Sequence, residues 1–221
     1  MGGRMSDTDA QGRATRMHCR RGSPDPKFAE SHHRIANSLS LTAALLRMQR
    51  ERSSDRAVQC AIRSAEARIA SIAKFHSYLH QRDSKDRVNL ADFFREALPD
   101  IGSAIGVHSL LAVNASVPLD VPERVARQLL IVVNELALNA RKHGYDGREG
   151  GCISVELDLD GANLLKITLA DSGGGLPDGF DPACSNGLGL RIVLALVNEL
   201  GGSLTTRTKD GAHFTIEIPL D

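Results

Sequence analysis

The chain has 221 residues, room for one large or two small domains, and its 27 acidic and 27 basic side chains balance, so overall charge gives no reason to expect a nucleic-acid partner. Cys19, Cys60, Cys152 and Cys184 have no C-x-x-C spacing, which suggests neither a zinc cage nor a disulfide framework and fits reduced thiols. No apolar run reaches membrane length and no apolar signal core follows Met1, so a cytoplasmic protein with no membrane partner is expected.

Residues 1–24 are rich in Gly, Arg, Ser and Asp without hydrophobic period and read as a disordered tail. Within residues 25–82 two helical seams follow. The first runs through Phe28, His32, Ile35, Leu39, Thr42, Leu46 and Gln49, and the second through Val58, Ile62, Ala65, Ile69, Ile72, His76 and Leu79. A polar stretch, Arg50–Asp55, joins them, so an antiparallel hairpin is expected. Leu41 and Leu45 widen the apolar face beyond what two helices can hide from each other, and pairing into a dimeric four-helix bundle would cover it.

Gln81–Arg87 reads as a charged linker to a second unit at residues 88–221. There the patterns predict a helix over Leu90–Ile105, a strand over Ser109–Ser116, and a long helix from the Val121-Pro122-Glu123 signal to about His143. Strands over Cys152–Leu159 and Leu164–Ala170 flank a turn at Asp160–Ala162. A loop, a helix over Leu188–Leu200 and strands over Ser203–Thr208 and His213–Ile218 complete the chain. Helices segregated from mostly consecutive strands make this an α+β fold, a helical hairpin followed by an α/β sandwich.

Four motifs carry candidate chemistry: H-H-R-I-A-N, N-E-L-A-L-N, D-S-G-G-G and N-G-L-G-L, in that order. His32 lies on its helix's seam, whereas His33 sits about 100° round on a polar stripe with Asn37 and Ser40. An imidazole that must meet a nucleotide and a second protein has to be exposed, and the Asn37 amide one turn on can bond it. Two ordinary helix histidines, one packed and one solvated, suit this segment alone somewhat better. Glu135 and Asn139 share a helix face, where a carboxylate and an amide oxygen can hold Mg²⁺; Lys142 and His143 add donors for phosphate. A plain polar helix surface has the same look. Asp171 could accept from an exocyclic amine, with Gly173 and Gly175 allowing a close backbone turn, although Asp and Gly favour ordinary turns too. Gly187, Leu188 and Gly189 lead into a helix whose N-terminus can face phosphates.

Taken together, the segment from about Phe28 to Asp221 resembles the histidine kinases of the HWE-related group, whose histidine box reads H-R-x-x-N, followed by a GHKL-type ATP-binding domain. The resemblance implies His33 as phosphoacceptor, Asn37 as the box asparagine, Glu135 and Asn139 as the N-box with Asn139 as Mg²⁺ ligand, and Asp171, Gly173 and Gly175 as the adenine box. Gly187 and Gly189 match the second glycine box, and Gly211 and Phe214 the closing strand. It further implies ATP and Mg²⁺ as cofactors, a homodimer, and transfer of the phosphoryl group to an aspartate of a response-regulator receiver domain.

The sequence departs from the family in places. Ala36 stands where many relatives carry a basic residue, Asn134 stands where the strict signature has histidine, and there is no tryptophan. The lid stretch Leu176–Asn186 is short, with Phe180 as candidate for the missing phenylalanine box. No sensor domain precedes the hairpin in this sequence, so input is expected from a separate sensor protein, through the tail, or not at all. A phosphotransfer adaptor that makes no use of ATP, and a protein-serine kinase of the anti-sigma type, are the rival readings. The three nucleotide motifs speak against the first and the His33 hairpin against the second.

Overall fold

The computed structural model describes residues 26–80, 87–105, 108–113, 119–145, 151–160, 163–185 and 187–220. The tail expected at 1–24 and nearly all of the linker expected at Gln81–Arg87 lie outside the described residues. Among the described residues no helix is long and apolar enough to cross a membrane.

Helices α1 (Pro26–Arg52) and α2 (Arg56–His80) pack along each other as the expected hairpin. Asp55 starts α2: its Oδ1 accepts the Ala57 amide at 2.7 Å and the Val58 amide at 3.4 Å, satisfying donors the helix cannot. Near the loop, Glu66 of α2 accepts from Arg47 Nε at 2.8 Å and stands 3.3 Å from Arg50 Nε, so one nearly buried carboxylate ties down two turns of α1. Further down, His32 and His76 meet through their Nδ1 atoms at 2.8 Å. One of the two rings must donate there and the other accept.

The inward stripe of α1 is His32, Ala36, Leu39, Ala43 and Leu46. His32, Leu39 and Leu46 agree with the expected seam, but Ile35, Thr42 and Gln49 face outward and two alanines take their places. Small alanine side chains let the two backbones approach, and apolar period alone does not separate Ile35 from Ala36. The rotation leaves Ile35, Leu41, Leu45 and Met48 of α1 and Val58 of α2 exposed, at 39–64%.

Beyond the hairpin the chain forms an α+β sandwich. A two-stranded ribbon pairs β1 (Arg87–Asn89) with β3 (Asp120–Pro122); both are three residues long, too short to show a period in sequence. The main sheet has the order β2 (His108–Val113), β4 (Cys152–Leu159), β5 (Leu164–Asp171), β7 (Ala212–Pro219), β6 (Ser203–Thr208). Its β2–β4 pair is parallel and the rest antiparallel. Alternate residues of the three central strands, among them Ile153, Val155, Leu157, Leu165, Ile167, Leu169, Phe214 and Ile216, are buried. Helices α3 (Leu90–Ile105), α4 (Glu123–Asn139) and α5 (Leu188–Glu199) contribute the other half of this core. The opposite face carries polar pairs such as Lys166–Glu217 at 3.7 Å and Thr168–Thr215 at 3.3 Å.

The foot of α2 belongs to the same core. Phe75 and Tyr78 meet the ring of Phe93 on α3 edge-on, with centroids 5.2 and 4.8 Å apart. Lys74 reaches Asp100 at 3.0 Å and Glu96 at 3.7 Å, also on α3. At this level the hairpin is joined to α3 of the sandwich by apolar and charged contacts together.

Burial, followed by the charges of His32 and Arg127, lowers the His76 pKa from its ordinary value. Below about pH 6.5 the unfolded chain takes up a proton at His76 that the folded chain resists, so stability is lost as pH falls through that window. The midpoint of urea denaturation should drop between pH 7.5 and 5.5, and His76→Gln should make that drop shallower. An equal slope for the variant would rule the contribution out.

Candidate functional site

Asp171, the last residue of β5, is 5% exposed. Its Oδ1 accepts the Gly173 amide at 2.8 Å and the Ala212 amide at 3.2 Å, which fixes the carboxylate and leaves Oδ2 for another donor. Three glycines crowd around it. A Cβ at Gly211 (φ +129°) would stand 1.8 Å from the Asp171 carbonyl oxygen. One at Gly173 would stand 2.5 Å from the Gly144 backbone, and one at Gly144 would reach 3.2 Å from Asp171 Oδ1. Only glycine fits the first two positions. Gly175 (φ +82°) approaches Thr208, whose Oγ1 accepts the Leu176 amide at 3.1 Å, so the lid begins anchored to the end of β6.

Tyr145 braces the same turn from the other side. Its hydroxyl bonds the Cys152 carbonyl, accepts the Ser172 amide at 2.9 Å and lies 3.2 Å from Ser172 Oγ. Gly144, Tyr145 and Thr208 were not singled out in the sequence. Gly144 closes the wider π turn Ala140–Gly144 that follows α4, where the long helix was expected to continue to about His143. Lys142 and His143 are exposed on that turn, and desolvation, then the Lys142 charge, lowers the His143 pKa.

Glu135 and Asn139 share one face of α4, as their spacing requires, and Gly189 at the start of α5 lies against both. A Cβ added at Gly189 would stand 2.7 Å from Glu135 Oε2 and 3.6 Å from Asn139 Oδ1. The two oxygens thus border one small space, and a carboxylate with an amide oxygen is a donor set that suits a hard cation such as Mg²⁺. Among the described residues no group of three or more His, Cys, Asp or Glu is arranged for a metal, so water or phosphate oxygens would have to complete its coordination. Gly187 has no side-chain cap to the helix it introduces, and Leu188 is 62% exposed. In the lid, Asp181 accepts the Ala183 amide at 2.9 Å and Phe180 packs half-buried against the core.

One partner of Glu135 was invisible in the sequence. Arg68, on α2, bonds it in a fork, Nε to Oε1 at 2.5 Å and Nη2 to Oε2 at 2.8 Å. The carboxylate is 2% exposed and the guanidinium side chain 20%. No sequence signal connects residues 67 positions apart.

On the hairpin, His33 and Asn37 are both exposed, with the amide nitrogen 3.5 Å from His33 Nδ1 and 3.4 Å from Nε2. Those are long contacts over the ring rather than a tight bond. His32 is 8% exposed and held by His76. The structure therefore gathers the candidate residues in three groups: His33 with Asn37 on α1, Glu135 with Asn139 and Gly189 between α4 and α5, and Asp171 with its glycines at the strand ends.

A helical hairpin set on a sheet covered by helices on one face, with a carboxylate, an amide and glycine turns at the open end, defines an α+β protein with a GHKL-type sandwich. Residues 30–105 match the family HisKA_2, described as histidine kinase, and residues 124–221 match HATPase_c, the histidine kinase-, DNA gyrase B- and HSP90-like ATPases. The chain belongs to the histidine kinases. It is 36% identical, over 90% of its own length, to the sensor histidine kinase PdtaS of Mycolicibacterium smegmatis, and spans 40% of that relative. It is 26% identical, over 98% of its length and 61% of the relative, to blue-light-activated histidine kinase 2 of Erythrobacter litoralis. The solved histidine kinase domain of the Erythrobacter litoralis EL346 blue-light activated kinase superposes with a TM-score of 0.63 at 21% identity, covering 88% of this chain and 95% of that one, a likeness of fold.

Proposed function

We propose that this chain is the catalytic core of a two-component histidine kinase, in which His33 takes the γ-phosphoryl group of ATP and passes it to an aspartate of a response-regulator receiver domain. Residues 25–82 would act as the dimerisation and phosphoacceptor unit and residues 88–221 as the ATP-binding unit. The observation that carries the reading is the pairing of an exposed His33–Asn37 face with two further groups suited to a nucleotide, Glu135 and Asn139 against Gly189, and Asp171 among its glycines. Such a protein works where ATP is held, in the cytoplasm, and its input would come from a separate sensor protein or from segments beyond the described hairpin.

Each group has a part in the reaction. Asp171, already fixed through Oδ1, would accept from the adenine amine with Oδ2. The uncapped start of α5 at Gly187, Leu188 and Gly189 would present N–H groups to the phosphates, with Lys142 and His143 as further donors at the edge of the site. Mg²⁺ held by Asn139 and Glu135 would neutralise charge on the polyphosphate. A ring nitrogen of His33 would attack the γ-phosphorus in line as the bond to the ADP oxygen breaks. Asn37, over the ring, would orient it before attack and bond it afterwards.

A second copy of the chain would cover the exposed stripe of Leu41, Leu45 and Met48. Each such side chain left wet forgoes roughly 1.5–3 kcal/mol. Light scattering should accordingly give a dimer mass at micromolar concentration. A monomer would remove this part of the reading.

Nucleotide affinity should depend on Asp171 more than on Asn139. Asp171→Asn turns an acceptor into a group that can point a donor at the adenine amine, so ATP and ADP should both bind at least about tenfold more weakly. Asn139→Ala should chiefly remove the Mg²⁺-dependent part of ATP binding. Calorimetry in which both variants bind ATP with Mg²⁺ like wild type would show the site to be misplaced.

The decisive comparison is between the adjacent histidines. With labelled ATP and Mg²⁺, wild type should acquire acid-labile, base-stable phosphate. His33→Gln should abolish it while nucleotide binding persists, whereas His32→Gln should slow labelling or weaken the hairpin without eliminating the phosphate. Label found on His32, or surviving in His33→Gln, would overturn the assignment.

A further inference from the structure

The fork between Arg68 and Glu135 joins the hairpin to the nucleotide-binding sandwich, and nothing in the proposed reaction uses it. Arg68 comes from α2, Glu135 from α4, and the carboxylate also borders Gly189 and Asn139. Both carboxylate oxygens are engaged, at 2.5 and 2.8 Å, by one guanidinium. At 2% exposure Glu135 has almost no water to fall back on, and a carboxylate that buried is costly to leave without a cation. The same carboxylate is half of the donor set that suits Mg²⁺. A guanidinium fork and a divalent cation cannot both take the near side of one carboxylate without strong repulsion between them.

We propose that the Arg68–Glu135 pair is an autoinhibitory latch, in which the hairpin helix α2 holds the site shut with its own cation until Mg²⁺-nucleotide displaces it. This inference rests on the kinase reading above. Because the two cations compete for Glu135, hairpin docking and Mg²⁺-nucleotide binding are antagonistic, and by linkage each weakens the other equally. The aromatic foot of α2 lies two helical turns from Arg68, at Phe75 and Tyr78 against Phe93. A swing of the Arg68 side chain, or a tilt of α2 about that foot, is enough to open the latch.

The test uses the full chain with Arg68→Gln, which keeps the stem and removes the charge, and Arg68→Lys, which keeps the charge and loses the fork. The readouts are Mg²⁺-dependent binding of a fluorescent ATP analogue and the initial rate of acid-labile phosphate incorporation across a Mg²⁺ titration. Arg68→Gln should bind the analogue about fivefold or more tightly at limiting Mg²⁺. It should also lower the Mg²⁺ concentration for half-maximal rate by a similar factor, with rates converging at saturating Mg²⁺. Arg68→Lys should lie between it and wild type. Unchanged or weaker analogue binding, or a slower initial rate, in variants with wild-type circular dichroism overturns the latch. If Arg68→Gln does not fold, the direction of the Arg68→Lys shift decides. A wild-type chain that incorporates no acid-labile phosphate at any Mg²⁺ concentration sinks the kinase reading, and analogue binding alone then settles the competition between Arg68 and Mg²⁺.

Discussion

The geometry of the whole molecule depends on the aromatic joint between the foot of α2 and α3. Phe75 and Tyr78 of the hairpin pack edge-on against Phe93, and all three are essentially without solvent exposure. Edge-to-face rings of this kind have a preferred orientation as well as buried area. That fixes the azimuth of α2 on the sandwich, and the azimuth determines which α2 side chains face α4. Arg68 is seven residues before Phe75, two turns up and nearly the same direction, about 10 Å along the axis. It meets Glu135 at that angle of the helix, where α2 also packs against α4. Lys74, bonded to Asp100 and Glu96 of α3, braces the same level with charges that are partly exposed and individually contribute little.

At the far end of α4 the constraint is one of space. Asp171 is a buried carboxylate whose Oδ1 is satisfied by two backbone amides, and those amides reach it because Gly211 and Gly173 have no side chain in the way. The turn after β5, the π turn after α4 and the turn before β7 all converge on one residue. Three separate segments of chain must close correctly before Oδ2 is left as the single open acceptor. The site is thus a by-product of how tightly the strand ends can be stacked, and the glycines are required by contact distance rather than by flexibility.

Much of this was legible in the sequence where the period is strong. Helix Leu90–Ile105 and strands Cys152–Leu159 and Ser203–Thr208 have the bounds their patterns predict. In Cys152–Leu159 the apolar side chains Ile153, Val155, Leu157 and Leu159 alternate without interruption, whereas Ser203–Thr208 is marked by its β-branched threonines and by the Gly201-Gly202 and Lys209-Asp210-Gly211 turns that bound it. The hairpin was legible as a pair of helices but not in its full register, since Ile35 and Ala36 are both apolar and the choice between them is made by how closely α1 approaches α2. The ribbon strands Arg87–Asn89 and Asp120–Pro122 are too short to have a period at all. Within the site, the glycines after Asp171 announce a turn, whereas Gly144 hides at the end of a helix and Arg68 looks like any basic residue on a helix. Such residues acquire their partners only through tertiary closure, from chain 27 or more residues away.

The error in the hairpin register leaves the contrast between the adjacent histidines intact, for a physical reason. His32, Leu39 and Leu46 belong to both the expected stripe and the observed one; the two differ in whether the intervening positions are Ile35, Thr42 and Gln49 or Ala36 and Ala43. Bringing His33 inward instead would require the stripe His33, Asn37, Ser40 and Ala44. That would bury an amide and a hydroxyl against the apolar side of α2, at a cost for each group not given a hydrogen bond. It would also break the 2.8 Å bond that gives His32 its partner in His76. Successive residues on a helix are turned by about 100°, so tying the first imidazole to α2 turns the second away from it. The exposure of His33 beside Asn37 is thus a consequence of packing His32, and it survives any register of α1 that keeps apolar groups between the helices.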